Sequence, residues 1–380
     1  MKILVVGISV RAMVESAVHN NYPVIALDAF GDQDLRALTE CYSLRHEFGV
    51  EYNPQTLYHV GRKLAFDAVA YTSNLENHPD VLRRFAASHR IIGNSPQVVG
   101  SVRNWESLFA GLRQSGFSAP QTILHGENPK VNRDRRWLLK PILSGGGHGI
   151  RFLRKERSAG DRAMLQEYIP GKPCSASFLA NGHECVLIGI TEQFIGLRQF
   201  GSYGFRYCGN LLPVQEVLDP DSRGVILDQV RRLAAYLTRE YGLTGVNGID
   251  FVLNRNHQVW LTEVNPRYSA SMEIIERAYR LPVFHLHAQA VLDGRLPEFE
   301  LETMLNGRFF GKAILFAERD AVASDTQTWH ARGIRDIPAS GEKLRRGSPV
   351  CTILTSGPTY DETMAELIRL AAALKKEIYG

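Results

Sequence analysis

Cysteine is scarce in this chain and shows no pairing pattern. Five residues, at 41, 174, 185, 208 and 351, are odd in number and contain no C-x-x-C spacing. A disulfide framework or cysteine-based zinc site is therefore not expected, whereas reduced thiols in a cytoplasmic protein are. No apolar run approaches the ~20 residues that would cross a bilayer, so no membrane partner is expected. The opening "MKILVVGISV" leads straight into the polar, helical "RAMVESAVHN" and reads as a β-strand rather than a signal peptide. Charge of one sign is not in large excess either: 44 Lys and Arg face 40 Asp and Glu, for a net charge of +4. No basic run alternates with aromatics, which argues against nucleic acid as the main partner. Low-complexity segments and internal repeats are not evident. What remains is an ordinary globular composition, 44% hydrophobic and 22% charged over 380 residues, enough for two or three domains.

The first hundred residues alternate strand and helix. "KILVVG", "PVIALD", "FDAVAYT" and "RIIGNS" read as strands, with helices near 11–20, 55–65 and 79–88 between them. Such alternation predicts a parallel sheet with helices on both faces. A dinucleotide fingerprint would fall at "GISVRA", but Ser9 replaces the second glycine and the third is missing, so NAD or FAD is not expected. The helix start there still offers free N–H groups beside Arg11. Glu76 and Asn77, in "SNLEN", follow a later strand at the same sheet edge, where open α/β sheets bind ligands. These three residues are candidates for holding a substrate carboxylate or amine; helix capping and loop solvation are the alternative.

Beyond "GNSPQVVGSVRNWESLFAGLRQSGFSAPQT", with one predicted helix and a Pro-marked turn, the strands come in hairpins. They are "RWLLKPI", "GIRFLR", "AMLQEYI" and "SASFLANGHECVLIGITEQF". A helix near 221–241 precedes another hairpin, "GIDFVLNRNHQVWLTEVNPR", and a helix near 270–292 follows it. Short strands ("FFGKAILFAE", "SPVCTILTSG") and an amphipathic helix from about 360 complete the chain.

The hairpin 248–267 carries the most chemistry. Pairing of 253 with 258, or of 255 with 258, would place Asp250, Glu263 and Asn265 on one face; a three-residue turn would split the acids. Like charges that close destabilise a sheet unless something compensates. A hard cation does so, because Mg²⁺ is held by one or two carboxylates plus substrate phosphates. Arg267 would then point toward the same phosphates or a developing anion. The alternative is a surface hairpin whose acids face water.

"LLKPILSGGGHGI" places Lys140 in a strand ahead of Gly145, Gly146, Gly147, His148 and Gly149. Backbone N–H groups of such a loop can approach phosphate oxygens with no Cβ in the way. It is not a Walker A loop, since the Lys precedes the glycines; a flap above the phosphates or a plain hairpin turn are the two readings. In "LQEYIPGKP", Gln166, Glu167, Tyr168 and Ile169 end a strand that could read adenine through backbone groups and an acid. "GLRQFGSYGFRYCGN", 196–210, could be a substrate lid with Arg198 or Arg206 gripping a carboxylate, or a plain loop. His285 and His287 lie two apart on an apparent helix and face different ways, so a metal pair is not expected there.

Taken together, Lys140 with its glycine loop, "QEYI", and Asp250 followed by Glu263-x-Asn265-x-Arg267 resemble the ATP-grasp superfamily. "TEVNPR" resembles the E-x-N-x-R segment of biotin carboxylases and carbamoyl-phosphate synthetases. The step from Asp250 to Glu263 is similar to the metal-ligand spacing of D-alanine–D-alanine ligases. The tail "IPASGEKLRRGSPVCTILTSG" resembles the C-terminal region of biotin carboxylases. The resemblance implies a Rossmann-like preATP-grasp domain over 1–100 and an ATP-grasp small subdomain with its flap over 101–180. It further implies a large subdomain with the Mg/ATP site over 181–305 and a C-terminal extension over 306–380. By the same resemblance Lys140 contacts the α/β-phosphates, Gly145 to Gly149 cover the β- and γ-phosphates, and Glu167 to Ile169 hold adenine. Asp250, Glu263 and Asn265 bind Mg²⁺ or Mn²⁺, and Arg267 stabilises the phosphorylated intermediate. Two departures stand out: Asn104 and Trp105 stand near the place of the family's first basic residue, for which Arg103 is a candidate substitute, and the usual ribose-binding acid has no clear counterpart, the stretch offering Cys174 and Ser175.

These features imply ATP-dependent activation of a small-molecule carboxylate as an acyl phosphate and its capture by an amine, a glutamate-type ligation being one form. No Ser/His/Asp or Cys/His nucleophile set is evident, as such a mechanism requires. The alternatives are a carboxylase acting through carboxyphosphate and a non-catalytic nucleotide-binding regulator. A homodimer is left open.

Overall fold

The computed structural model describes residues 1–124, 132, 134–153, 163–214, 220–304 and 307–380, with the backbone alone at 220 and 221. The chain opens with β1 (Ile3–Val6), α1 (Arg11–His19), β2 (Val24–Asp28), α2 (Gln33–Leu38), β3 (Cys41–Ser43) and α3 (Pro54–Gly61). It continues with β4 (Ala68–Tyr71), α4 (Pro79–Ala86) and β5 (Arg90–Ile92). The five strands form one parallel sheet in the order β3-β2-β1-β4-β5. Every residue of β1, β2 and β4 is buried, as strands covered on both faces must be. Their side chains divide between two cores: Ile3 and Val5 pack toward the rest of the molecule, while Leu4 and Val6 pack under α3 and α4. The short α2 and β3 escape the sequence pattern because each is too brief to show a period.

Two helices, α5 (Pro96–Val102) and α6 (Trp105–Gln114), stand where one was predicted. Each has its own start signal: Ser95 accepts the Val98 N–H, and Asn104 accepts the Ser107 N–H. Then come β6 (Thr122–Leu124), β7 (Trp137–Pro141), β8 (Arg151–Phe152) and β9 (Ala163–Glu167), a small antiparallel sheet ordered β6-β9-β7-β8. The predicted strand "GIRFLR" is short, and its Arg154 lies outside the described residues.

The remaining elements are β10 (Lys172–Asn181), β11 (Cys185–Ile195), β12 (Tyr207–Leu212), α7 (Pro220–Tyr241), β13 (Thr244–Leu253), β14 (Val259–Asn265), α8 (Met272–Tyr279) and α9 (Val283–Leu292). After them come β15 (Phe309–Phe316), β16 (Ala321–Val322), β17 (Ile334–Arg335), β18 (Lys343–Leu344), β19 (Pro349–Gly357) and α10 (Tyr360–Tyr379). Eight of these strands make one sheet ordered β14-β13-β10-β11-β12-β15-β19-β17. The change from small to large sheet thus falls at Pro170–Gly171 rather than at 180, which lies inside β10. The segment 306–380 is no separate layer either, since β15, β19 and β17 extend that same sheet. The single helix expected at 270–292 is broken in two. Arg280 takes a left-handed conformation, φ 53°, and Pro282 follows it, which together stop α8.

His285 and His287 do face different ways, and each is a tether. Nδ1 of His287 accepts the Val246 N–H at 2.9 Å and its Nε2 lies 3.0 Å from the Ile92 carbonyl, while His285 meets the Tyr22 hydroxyl at 2.9 Å. Among the described residues, no helix is long and apolar enough to cross a membrane.

Candidate active site

The site forms where the large sheet meets the carboxyl edge of the parallel sheet. Asp250 in β13 stands directly across from Glu263 in β14, and Gly248 stands across from Asn265. Pairing of 255 with 258 would give the same partners, but the hairpin does not turn there. The hairpin closes at Leu253 opposite Val259, and uninterrupted pairing from there would set Asp250 opposite Thr262 and send the acids to opposite faces. A β-bulge intervenes: Phe251 pairs with Leu261, Asp250 with Glu263, and Thr262 is the extra residue. The Thr262 hydroxyl donates to the Asp250 carbonyl at 3.0 Å, holding the bulge from its side chain.

Around this pair the neighbours are mostly donors. Gln193 Nε2 donates to Asp250 Oδ1 at 2.9 Å and Asn265 Nδ2 to Oδ2 at 3.0 Å. Arg103 Nη1 donates to Glu263 Oε1 at 2.8 Å and to the Val264 carbonyl at 3.2 Å. Burial and the facing Glu263 carboxylate push Asp250 up, to about 7, against the pull of Asn265, Arg267 and Lys140. Lys140 is pushed down by burial, with Glu263 and Asp250 pulling it back. The Glu263 side chain keeps 29% of its exposure, so the pair is open to solvent on one side.

The parallel sheet contributes two adjacent residues. Glu76, 1% exposed, forms an ion pair with Arg267 Nη2 at 2.7 Å. Arg267 in turn donates to Asn265 Oδ1 at 3.1 Å. Asn77 accepts from Arg103 through its side-chain oxygen and donates to the Ser144 carbonyl at 3.3 Å. Two chains of contacts therefore run from this segment to the acids: Glu76–Arg267–Asn265–Asp250 and Asn77–Arg103–Glu263. Arg103 joins segment and acid, bonded to Glu263 and to Asn77.

Gly145 to Gly149 form the connection between β7 and β8, with positive φ at Gly146, Gly147 and Gly149. Position 147 demands glycine twice over: φ is +74°, and a Cβ there would fall 1.8 Å from the Phe205 carbonyl oxygen. The loop touches the Asn77 segment on one side and residues 205–207 on the other.

The other sequence candidates are differently placed. Arg11 is 1% exposed and already engaged: it donates to Glu15 at 2.8 Å, to Glu273, and to both oxygens of Asp336 at 3.0 and 3.1 Å. A substrate carboxylate would have to displace these acids, so Arg11 is a structural cation joining α1, α8 and the segment after β17. Arg206 donates to the Gly347 carbonyl at 2.9 Å, a bond that a substrate carboxylate would compete with. Arg198 is exposed. Gln166 to Tyr168 are not at a free strand edge, because β9 lies between β6 and β7. Gln166 is 1% exposed and donates to Thr122 Oγ1 at 3.2 Å. The Glu167 N–H goes to the Gln121 carbonyl, the Tyr168 N–H to Arg136, and the Glu167 carboxylate to Arg135 at 2.8 Å. The chain leaves the sheet at Ile169.

Sequence reasoning missed a row of buried polar side chains on the floor of the cleft. Ser175, across from Asp250, bonds Thr191 at 2.9 Å; Asn210 donates to Thr191 at 2.7 Å and accepts from the Tyr207 hydroxyl. Lys312, across from Asn210, ends the row in an ion pair with Glu273 at 2.7 Å. The signal was present in "TEQFI", where Thr191 and Gln193 share the period of one strand face.

Among the described residues no group of three or more His, Cys, Asp or Glu side chains has metal-ligand geometry. Two opposed carboxylates and an amide still suit a hard divalent cation that takes its remaining ligands from phosphate and water. Burial first, and then the facing Glu263 carboxylate, push Asp250 up, and a bound cation would offset both.

Residues 104–271 match the model of the ATP-grasp domain. Protein MJ0776 of Methanocaldococcus jannaschii is 24% identical over 375 residues, covering 93% of this chain and 88% of its own. A formate-dependent phosphoribosylglycinamide formyltransferase of Anaeromyxobacter dehalogenans is 26% identical over 239 residues, 56% of this chain and 58% of that one. Among solved structures, the biotin carboxylase domain of Hydrogenobacter thermophilus 2-oxoglutarate carboxylase, a complex with MgADP and bicarbonate, superposes with a TM-score of 0.74 at 14% identity. That match covers 99% of this chain and 90% of the other. The parallel sheet, the small sheet with its glycine loop and the large sheet behind them follow the architecture of these neighbours: residues 104–271 match the ATP-grasp domain, and the chain as a whole has the ATP-grasp fold.

Proposed function

We infer that this protein is an ATP-dependent ligase that activates a carboxylate as an acyl phosphate and joins it to an amine, releasing ADP and phosphate. The observation that carries the reading is Asp250 facing Glu263 across the β13–β14 ladder, ringed by Lys140, Arg103 and Arg267. Such an arrangement suits a polyanion and its counter-ion and offers no nucleophile, which is what phosphoryl transfer by positioning requires. The name of the formyltransferase relative, with its formate and its glycinamide, supports a carboxylate and an amine as the reactants.

In this reading Asp250, Glu263 and Asn265 hold Mg²⁺, which neutralises phosphate charge when bound. Lys140 approaches the phosphates as a point charge and Gly145 to Gly149 cover them with backbone N–H groups. Adenine is assigned to the exit of β9 at Ile169. Arg267, fixed by Glu76, stabilises the developing acyl phosphate. Glu76 and Asn77 keep their proposed place beside a substrate carboxylate or amine, now through the two arginines they hold. The domain assignment follows suit, with 1–100 as the preATP-grasp domain and the small sheet as the flap-bearing subdomain.

An ADP-release screen over paired carboxylates and amines tests the reading. ADP formation that requires both partners supports it. Release that depends on bicarbonate without an amine would replace it with carboxylation through carboxyphosphate. Nucleotide binding with no ADP formed across the screen would replace it with a nucleotide sensor.

A further inference from the structure

The stretch 196–210 has no free cation in its middle, yet it touches more of the molecule than a surface loop does. On one side it carries the glycine loop. The Tyr207 N–H donates to the Gly146 carbonyl at 3.0 Å, Gly147 lies flat on the Phe205 carbonyl, and the Phe205 ring meets Phe152 edge-on with centroids 5.2 Å apart. On the other side it holds the C-terminal segment. Arg206 donates to the Gly347 carbonyl at 2.9 Å, and its guanidinium lies 4.9 Å from both the Tyr203 and Phe316 rings. The turn that presents Gly347 is itself fixed to β15's end, where the Gly347 N–H donates to Ala317 at 2.7 Å. Within the stretch, the Arg206 carbonyl accepts from Gly196 N–H at 2.8 Å and from Ser202 Oγ at 3.1 Å, so residue 206 is braced from both ends.

We propose that residues 203–207 are a latch that holds the glycine loop shut and, through Arg206, ties it to the Gly347 turn, so that loop and turn open and close together. Three regions distant in sequence meet at one guanidinium and one peptide. Glycine at 147 is what allows the close approach, because any Cβ would collide with backbone rather than with a side chain that could turn away. Arginine at 206 is what allows the anchor, since a planar cation can stack between two rings while donating in its own plane. The latch also touches the floor of the cleft: the Tyr207 hydroxyl bonds Asn210, which continues to Thr191 and Ser175 beside Asp250. The use of the latch, admitting and retaining a nucleotide, rests on the function proposed above; the mechanical link does not.

Hydrogen exchange of the full chain without nucleotide tests the link. In Arg206→Ala, the Tyr207 amide and the amides of 145–149 should exchange about tenfold faster than in the wild type, the loss of one charge-assisted bond and two ring contacts. In Gly147→Ala, the collision should free Tyr207 in the same way and also speed exchange across 345–348. Circular dichroism and thermal unfolding establish that both variants remain folded. Unchanged exchange at Tyr207 and 145–149 in Arg206→Ala overturns the latch, as does unchanged exchange at 345–348 in Gly147→Ala. A second arm adds Mg²⁺ and a non-hydrolysable ATP analogue. Slowed exchange in both the loop and the 345–348 turn extends the latch to nucleotide capture. No slowing anywhere in the wild type counts against the nucleotide reading, and the link is then judged on the first arm.

Discussion

Two clusters of buried charge lie on the same large sheet, and they are built to opposite rules. At one end, Asp250 and Glu263 are opposed like charges whose cations, Arg103, Arg267 and Lys140, approach from separate elements. At the other end, Arg11 is enclosed by Glu15, Asp34, Glu273 and Asp336, and Lys312 completes the set on Glu273. The second cluster is closed: the cations pull Glu273 well below the usual carboxylate range despite its burial. The first is strained, with a carboxyl pushed up and an ammonium pushed down. Burial of charge therefore does not distinguish the proposed site, nor does a carboxyl pushed up, since burial and Asp336 push Asp34 up beside Arg11 as well. Two facing carboxylates with one open side do.

Breaking the two clusters should give opposite failures. The largest effect on turnover is expected at the strained end, where Lys140→Ala or Glu263→Gln should lower ADP release by about a thousandfold, with unfolding midpoints close to wild type. Full activity in either variant would remove the assigned roles. At the closed end, Arg11→Met should cost about 3–5 kcal/mol, because four acids lose their shared cation in a buried site. Urea unfolding reads this directly, and an unchanged midpoint would show that the cluster carries no stability.

Smaller effects sharpen the contrast. His287 belongs to neither cluster and serves as a neutral reference, for burial pushes it from 6.5 down to about 4. Between those values the unfolded chain binds a proton that the folded chain does not, so stability falls as pH falls through that window, by about 3 kcal/mol at full extent. His287→Gln should lose this slope, so the stability gap between it and the wild type narrows from pH 7 to pH 5. A gap independent of pH would mean the imidazole is not held neutral. Smallest is Arg103→Lys, which keeps the charge but not the reach to Glu263, Val264 and Asn77 together; a roughly tenfold loss of ADP release is expected. No loss would make Arg103 a charge alone.

The parallel sheet and the large-sheet hairpins were legible because runs such as "KILVVG" and "PVIALD" are apolar throughout and bounded by turn residues. The acids of the hairpin were legible because Asp250 and Glu263 break apolar strands, but their register was not: a bulge depends on packing that no turn rule contains. The fate of Arg11 was hidden for another reason. Glu273 and Asp336 lie hundreds of residues away, and nothing periodic links an arginine at a helix start to acids so distant. Arg206 misled in the same way, since a carbonyl partner such as Gly347 leaves no signature in composition. The end of the helix at 280 was readable in Pro282, which was passed over because apolar spacing continues across it.

Thr262 gives the hairpin an odd property. Up to Leu261 the strand buries its odd-numbered residues, and past Thr262 the even-numbered Val264 takes the core side while the odd-numbered Glu263 joins Asp250 on the other face. Removing this one threonine would leave every proposed ligand in the chain and still facing its mate, yet straighten the ribbon that aims them. Composition and direction are thus under separate control at a single codon, and a deletion there would leave the proposed site fully equipped and pointed at the wrong place.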